Sequence, residues 1–356
     1  MKVPVVLILF NRPDYTAQVW ESIRQAQPQQ LWVIADGPRP HVPKDIEQCQ
    51  AARAIVETVD WPCEVMKNYA SENWGCGKRI FSGLSWVFDQ VEEAIILEDD
   101  CLPNPTFFPF CTELLARYRF DPRILLISGR NDLGQWKSDQ QSYHFSHYGS
   151  IWGWASWQRA WKLCDPSLKS FDSTTILQTL SEILADSEQV NHHFWLYENI
   201  LNGRIDAWDI QWALARLLHQ GLEIAPSVNL VKNLGFDPQA TYTKKVDDLR
   251  AEIISRSMQF PLQHPPEIFQ SDHNFDRQTF LMQLMSTYKQ VRALKVLQQA
   301  IVQGKTLPHL DPGIFHALTP LYHLQEANSV LKHILQWNPS HKAANLLCQE
   351  FQKFLH

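Results

Sequence analysis

The segment Glu93-Ala94-Ile95-Ile96-Leu97-Glu98-Asp99-Asp100 joins an apolar run to three consecutive carboxylates. An apolar run without polar alternation suits a strand buried on both faces, as in a parallel sheet. The same pattern recurs around it. Val5–Phe10, Leu31–Ala35, Cys63–Lys67 and Ile124–Ser128 read as four more strands. Between them, Pro13–Gln25, Ile46–Val59, Gly77–Gln90 and Phe107–Arg119 carry helical periodicity. Strand–helix alternation at this spacing predicts an α/β fold with a Rossmann-like, mostly parallel sheet covered by helices on both faces. Ligands bind such sheets beyond the carboxyl ends of the strands. Asn11-Arg12, Asp36, Glu98-Asp99-Asp100 and Asn131-Asp132 each follow a strand, so four polar strand ends converge on one edge.

Further along, regularity weakens. Helices are expected near Ile176–Asp186 and at Asp209–His219, and four tryptophans crowd into Trp152–Trp161. Pro261, Pro265 and Pro266 mark 258–278 as a linker. Beyond it the chain reads as helical. Ala327, Leu331, Ile334 and Leu335 share one stripe, Pro339 breaks it, and Ala344, Leu347 and Phe351 restart it. The expected division is therefore 1–257, a linker at 258–278, and a helical region at 279–356.

The whole chain has 356 residues and a formal charge of −6, with 45% hydrophobic and 20% charged residues. That composition excludes disorder over most of the length and gives no reason to expect nucleic acid as a partner. The helical region differs, with seven Lys/Arg against three Asp/Glu. No apolar run reaches the ~18 residues of a membrane span. The seven cysteines never form a C-x-x-C pair, which fits a reducing cytoplasm, with attachment to the inner membrane face left open. P-loop, G-x-S-x-G and H-E-x-x-H patterns are absent.

Three adjacent carboxylates at a strand end repel one another unless a cation or hydrogen-bond donors compensate. An open Mg²⁺ or Mn²⁺ site is one solution, because these hard ions take oxygen ligands and leave room for phosphates. A solvated acidic turn is the other.

At this point a resemblance becomes specific. "PVVLILFNRPDYT", "SENWGCGKRIFSGLSWVF" and "AIILEDDCLPNPTFF" resemble the opening strand, the Asn-x-Gly segment and the acidic motif of nucleotide-sugar glycosyltransferases of the GT-A fold. Ser128, Asn131, Asp132 and Gly134, then "IWGWASWQRAW" and "WDIQW", are similar to elements of the inverting N-acetylglucosaminyltransferase I group. The ordered series runs from Val3 to about Thr243. The family 2 glycosyltransferases share its general architecture. In the tail, "NPSHKAANLL" resembles the turn of a tetratricopeptide repeat, with a plain helical cap as the alternative.

The resemblance implies a metal-dependent, inverting transfer from a nucleoside-diphosphate sugar, UDP-linked by preference, to a glycan, lipid-linked or protein acceptor in bacterial glycan synthesis. By the same implication Asp100 binds Mn²⁺ or Mg²⁺, Asp99 meets the ribose or the metal's water shell, and Glu98 supports the sugar. Asp36 would accept from the base. Arg12 and Lys78 would meet base or phosphate, while Asn73 and Gly75 would let backbone approach the nucleotide. Gly235, in the Asn-Leu-Gly-Phe segment 233–236, would sit in a loop closing over the diphosphate, with Thr241 and Tyr242 beyond. Asn131, Asp132, Trp152 and Trp154 would line an acceptor site. Trp157 and Trp161, at helical spacing, would be core. Asp209 is the expected general base, with Asp206 in reserve and helix N-capping as the alternative role. A nucleotidyltransferase, or a scaffold using the helical tail for a partner or dimer, are the competing functions.

Overall fold

The computed structural model describes residues 1–184, 186–236, 249–266, 269–284, 324–337, 339–340, 344–345 and 348–349. These fall into two compact units. The first comprises 1–131, 137–234 and 255–271, and the second 132–136, 235–254 and 272–356.

The first unit is built on strands β1 (Val5–Leu9), β2 (Gln30–Ala35), β3 (Glu64–Tyr69), β4 (Glu93–Glu98), β6 (Ile124–Ser128), β7 (Tyr143–Ser146), β8 (Trp154–Trp157) and β9 (Leu222–Pro226). They form one sheet in the order β3-β2-β1-β4-β8-β6-β9-β7. β3, β2, β1 and β4 run parallel, and β6 and β9 share their direction. β8 and β7 run against their neighbours. All five strands expected from the apolar runs are present, in one direction. The short strands β5 (Cys101–Pro103) and β10 (Val231–Asn233) pair separately and antiparallel.

Helices cover both faces. α1 (Pro13–Ala26), α2 (Lys44–Ile55) and α4 (Phe107–Tyr118) contribute Val19, Trp20, Ala52, Phe107 and Leu114 to one core with Leu7, Leu9 and Val33. On β2 the alternate residues Trp32 and Ile34 meet α3 (Cys76–Phe88) instead. Trp32 and Trp86 sit edge-to-face at 4.8 Å, and a methyl group at Gly83 would fall 2.6 Å from Ile34. α5 (Gln158–Trp161), α6 (Ser173–Ile183), α7 (Ser187–Leu201) and α8 (Trp208–Leu218) complete this unit. α6 and α7 start under Asp172 and Asp186, whose carboxylates accept from backbone N–H groups of the first turn.

The tryptophan cluster resolves into an antiparallel strand and one helical turn. β8 lies between β4 and β6, with Ile96 opposite Trp154 and Ile95 opposite Ala155. Residues 154 and 157 then point to opposite faces. Trp157 joins the core beneath α4, donating Nε1–H to the Leu115 carbonyl at 3.3 Å. Trp154 joins Trp161, Trp208 and Trp212 on the other face, with ring centroids 6.4–6.5 Å from its own. Gly153 before it has φ +71 and abuts Val231 and Leu97, so both conformation and space call for glycine there.

The compact units do not follow the expected division at 257. Residues 255–271 belong with the first unit: Met258 and Leu262 are buried in its core, and Ser142 and Gln263 exchange two hydrogen bonds of 2.8 and 2.9 Å. Prolines here mark a bound strap rather than a free linker. In the second unit, α9 (His273–Leu284) begins inside the expected linker, and α10 (Leu324–Trp337) is helical, as expected of the tail. Trp136 donates to Asp272 at 2.9 Å, and His333 meets the Gln135 carbonyl at 2.8 Å, which ties 132–136 to these helices. Thr241, Tyr242 and most of the helix expected over 341–354 lie outside the described residues. No helix among the described residues is long and apolar enough to cross a membrane.

Candidate functional site

β1 is flanked by β2 and β4, so the carboxyl ends of all three open on one edge. β4 delivers Glu98, Asp99 and Asp100 there, and β1 delivers Phe10, Asn11 and Arg12. Arg12 bridges the two aspartates: one nitrogen holds Asp99 Oδ1 and the other donates to Asp100 Oδ2 at 2.8 Å. The Phe10 N–H adds a 3.0 Å bond to Asp99 Oδ2. Burial works against the Arg12 charge, but Asp99 and Asp100 outweigh it and hold the guanidinium charged.

One arginine does not neutralise three acids. Glu98, half-buried, is pushed up to about 8 by desolvation and by Asp100, with Arg12 opposing. Asp99 is 1% exposed and is also raised by burial, with Arg12 opposing. Among the described residues the donors at the triplet are Arg12, the Phe10 N–H and the Cys101 thiol, 3.5 Å from Asp100 Oδ1. Among the described residues no group of three or more His, Cys, Asp or Glu could together hold a metal.

Asp209 reaches the same region. It is exposed on the first turn of α8, and both Glu98 and Cys76 feel its charge. The Cys76 thiol, at the start of α3, is pushed up to about 12 by desolvation, then Glu98 and Asp209. Ala207 occupies the N-cap of α8, so Asp209 does not cap the helix. Asp206 lies beside the other helix start, its Oδ1 3.7 Å from where a Gly77 methyl would stand.

Asp36 has a different task from the one expected. Its carboxylate accepts from the N–H groups of Gly37 (2.8 Å), Trp74 (2.9 Å) and Gly75 (3.1 Å) and from the Asn73 amide (3.0 Å). At 7% exposure and with four donors, it organises the loop after β3 and is not open to a base. Asn73 is brought to Asp36 and is engaged there, donating also to the Gly37 carbonyl at 3.0 Å. Lys78 is exposed, with Nζ 4.9 Å from the Trp74 ring centre.

The expected acceptor residues separate. Trp154 is 1% exposed inside the tryptophan cluster, so no indole face remains for a sugar. Asn131 is fully buried, and its amide donates to the Pro226 carbonyl at 2.8 Å. Trp152 is half-buried beneath Arg130, whose guanidinium carbon is 4.5 Å from the ring centre. Asp132 and Gly235 belong to the second unit. Leu234, just before Gly235, donates its N–H to the Asp100 carbonyl at 2.7 Å, continuing the β5–β10 pair. Trp74, which the sequence reading did not single out, stands 40% exposed between Asn73 and Gly75.

No protein-family model matches the chain. Among solved structures, mouse xyloside xylosyltransferase 1 is similar at 12% identity and TM-score 0.36, over 72% of this chain and 96% of that one. UDP-glucose pyrophosphorylase complexed with UDP-glucose gives 10% identity and TM-score 0.33, over 71% and 97%. The galactosyltransferase LgtC with donor and acceptor sugar analogues gives 10% and 0.31, over 60% and 70%. Similarity at this level assigns no function.

Proposed function

We propose that the chain is a glycosyltransferase that moves a sugar from a nucleoside-diphosphate donor, UDP-linked by preference, to an acceptor hydroxyl with inversion. The observation that carries this reading is the convergence of Arg12, Glu98, Asp99, Asp100 and Asp209 at the carboxyl edge of a mostly parallel sheet. The motif resemblance along Val3–Thr243 supports the same edge as the donor site.

A hard divalent cation belongs to this reading because Mn²⁺ and Mg²⁺ take carboxylate oxygens and share them with phosphates, and the edge offers Asp99 and Asp100, both bridged by Arg12. Asp100 would hold the ion, and Asp99, fixed by Arg12 and the Phe10 N–H, would meet the ribose or the ion's water shell. When bound, such an ion stabilises the charge that builds on the departing diphosphate.

The chain's own residues account for the rest. Arg12 places a positive charge beside the acids and holds Asp99 and Asp100 in place. Asp209 takes the proton from the acceptor hydroxyl. The acceptor oxygen then bonds to the anomeric carbon as its bond to the phosphate oxygen breaks, and the electron pair leaves with the nucleoside diphosphate. The helical second unit serves a partner, a dimer or the acceptor.

The test is turnover of a panel of sugar nucleotides with Mn²⁺. Release of nucleoside diphosphate is expected. Release of pyrophosphate instead would identify a nucleotidyltransferase, and no turnover of any donor would favour a scaffold.

A further inference from the structure

The loop 70–75 after β3 is fixed from two sides. Asp36 holds the N–H groups of Trp74 and Gly75 and the Asn73 amide, while Arg53 donates to the carbonyls of Asp36 (2.9 Å) and Ala70 (2.8 Å). Gly37 and Glu72 meet backbone to backbone, so closely that a methyl at Gly37 would fall 2.4 Å from the Glu72 carbonyl carbon. This construction displays one large side chain. Trp74 stands 40% exposed with its main chain immobilised.

Two cations accompany the ring, and they differ. Arg79 lies 5.6 Å from the ring centre but is buried and engaged with the Ala35 carbonyl (3.1 Å) and Asn68. Lys78 lies 4.9 Å from the ring centre, is exposed, and has no carboxylate within ion-pair distance among the described residues. An exposed indole that already carries an ammonium over its ring, with no carboxylate partner for that ammonium among the described residues, complements a flat base attached to a phosphate. Asp36 and Asp100 sit at the ends of β2 and β4, which are separated by β1, so the two lie about two strand spacings, ~10 Å, apart. Ribose and phosphates span such a gap. A nucleotide whose phosphates lie at Asp100 therefore carries its base to the loop that Asp36 organises.

We infer that Trp74 is the stacking platform for the nucleobase of the donor, with the Lys78 ammonium at its ring to meet a phosphate. This rests on the nucleotide-sugar reading above and replaces Asp36 with Trp74 as the residue that meets the base. Stacking tolerates any base, so Trp74 supplies affinity more than choice among bases.

The experiment is calorimetry on the full chain with a panel of nucleoside diphosphates and, separately, with inorganic pyrophosphate, each with Mn²⁺. Trp74→Ala is expected to weaken nucleoside diphosphate binding roughly tenfold to a hundredfold and to leave pyrophosphate binding unchanged. Trp74→Phe should recover most of the loss. Equal affinity of Trp74→Ala and wild type for every nucleotide overturns the inference, as does an equal loss for pyrophosphate. Failure of the wild type to bind any nucleoside diphosphate overturns the nucleotide-sugar reading itself.

Discussion

Arg12 Nη1 lies 2.8 Å from Asp100 Oδ2, and the same guanidinium holds Asp99 on its other arm. Arg12, three residues past the end of β1, therefore compensates the acids at the end of the neighbouring strand β4. Replacing Arg12 by Met leaves Asp99 buried with a single backbone donor. Removing the partner of a buried charged group costs about 1–3 kcal/mol or more. Urea denaturation of Arg12→Met should show a loss in that range. An unchanged midpoint would mean that the acids do not depend on this residue.

Asp209 sits one residue inside α8 and does not cap it, so its removal should spare the fold. Asp209→Asn is expected to lower turnover by a factor on the order of 10²–10⁴ with donor affinity and thermal midpoint nearly unchanged. If Asp206→Asn gives that loss and Asp209→Asn does not, the base is Asp206.

Trp154 tests the division between core and site. Its ring packs among Trp161, Trp208 and Trp212 at 1% exposure. Trp154→Ala should cost about 3–5 kcal/mol of stability, as large-to-small core changes do. A small stability loss with a large rise in acceptor KM would instead restore the indole to an acceptor site.

His193 gives the first unit a pH dependence away from the acids. It is buried, with Nδ1 2.8 Å from the Gln189 carbonyl and Tyr148 and His192 against its ring. Burial pushes it down to about 4, with the Gln189 carbonyl and Asp186 opposing. Between pH 6.5 and 4 the unfolded chain binds the proton that the folded chain refuses, so stability falls as pH falls through that window. Over the whole window the loss is on the order of 3 kcal/mol. In His193→Gln that slope should flatten, read from denaturation midpoints at successive pH values. A slope equal to wild type would assign the dependence to other groups.

β1, β2, β4 and β6 were legible because they are buried on both faces and read as apolar runs, whereas β3, EVMKNY, is only partly buried and reads as one only weakly. The signal fails elsewhere for physical reasons. β8 is four residues whose bulky ends, Trp154 and Trp157, face opposite cores, so the segment shows neither helical nor alternating period. β5 and β10 are three residues each, too short for any period. α7 mixes two histidines with aromatic and polar residues, and only its Asp186 cap announces it. At the candidate site, Arg12 and the acids follow β1 and β4, so topology alone puts them at one edge; Asp209, on the first turn of α8, came only from the motif resemblance. Sequence could not foresee that Asp36 binds its own neighbouring loop, since that depends on Trp74 and Gly75 presenting N–H groups from a different strand end.

The most direct test is anomalous diffraction from crystals soaked with Mn²⁺ and UDP. A manganese peak at the Asp100 carboxylate, with the UDP phosphates beside it, is the predicted result. Density showing no manganese and no nucleotide at that edge, with Arg12 still clamped across Asp99 and Asp100, would contradict the account.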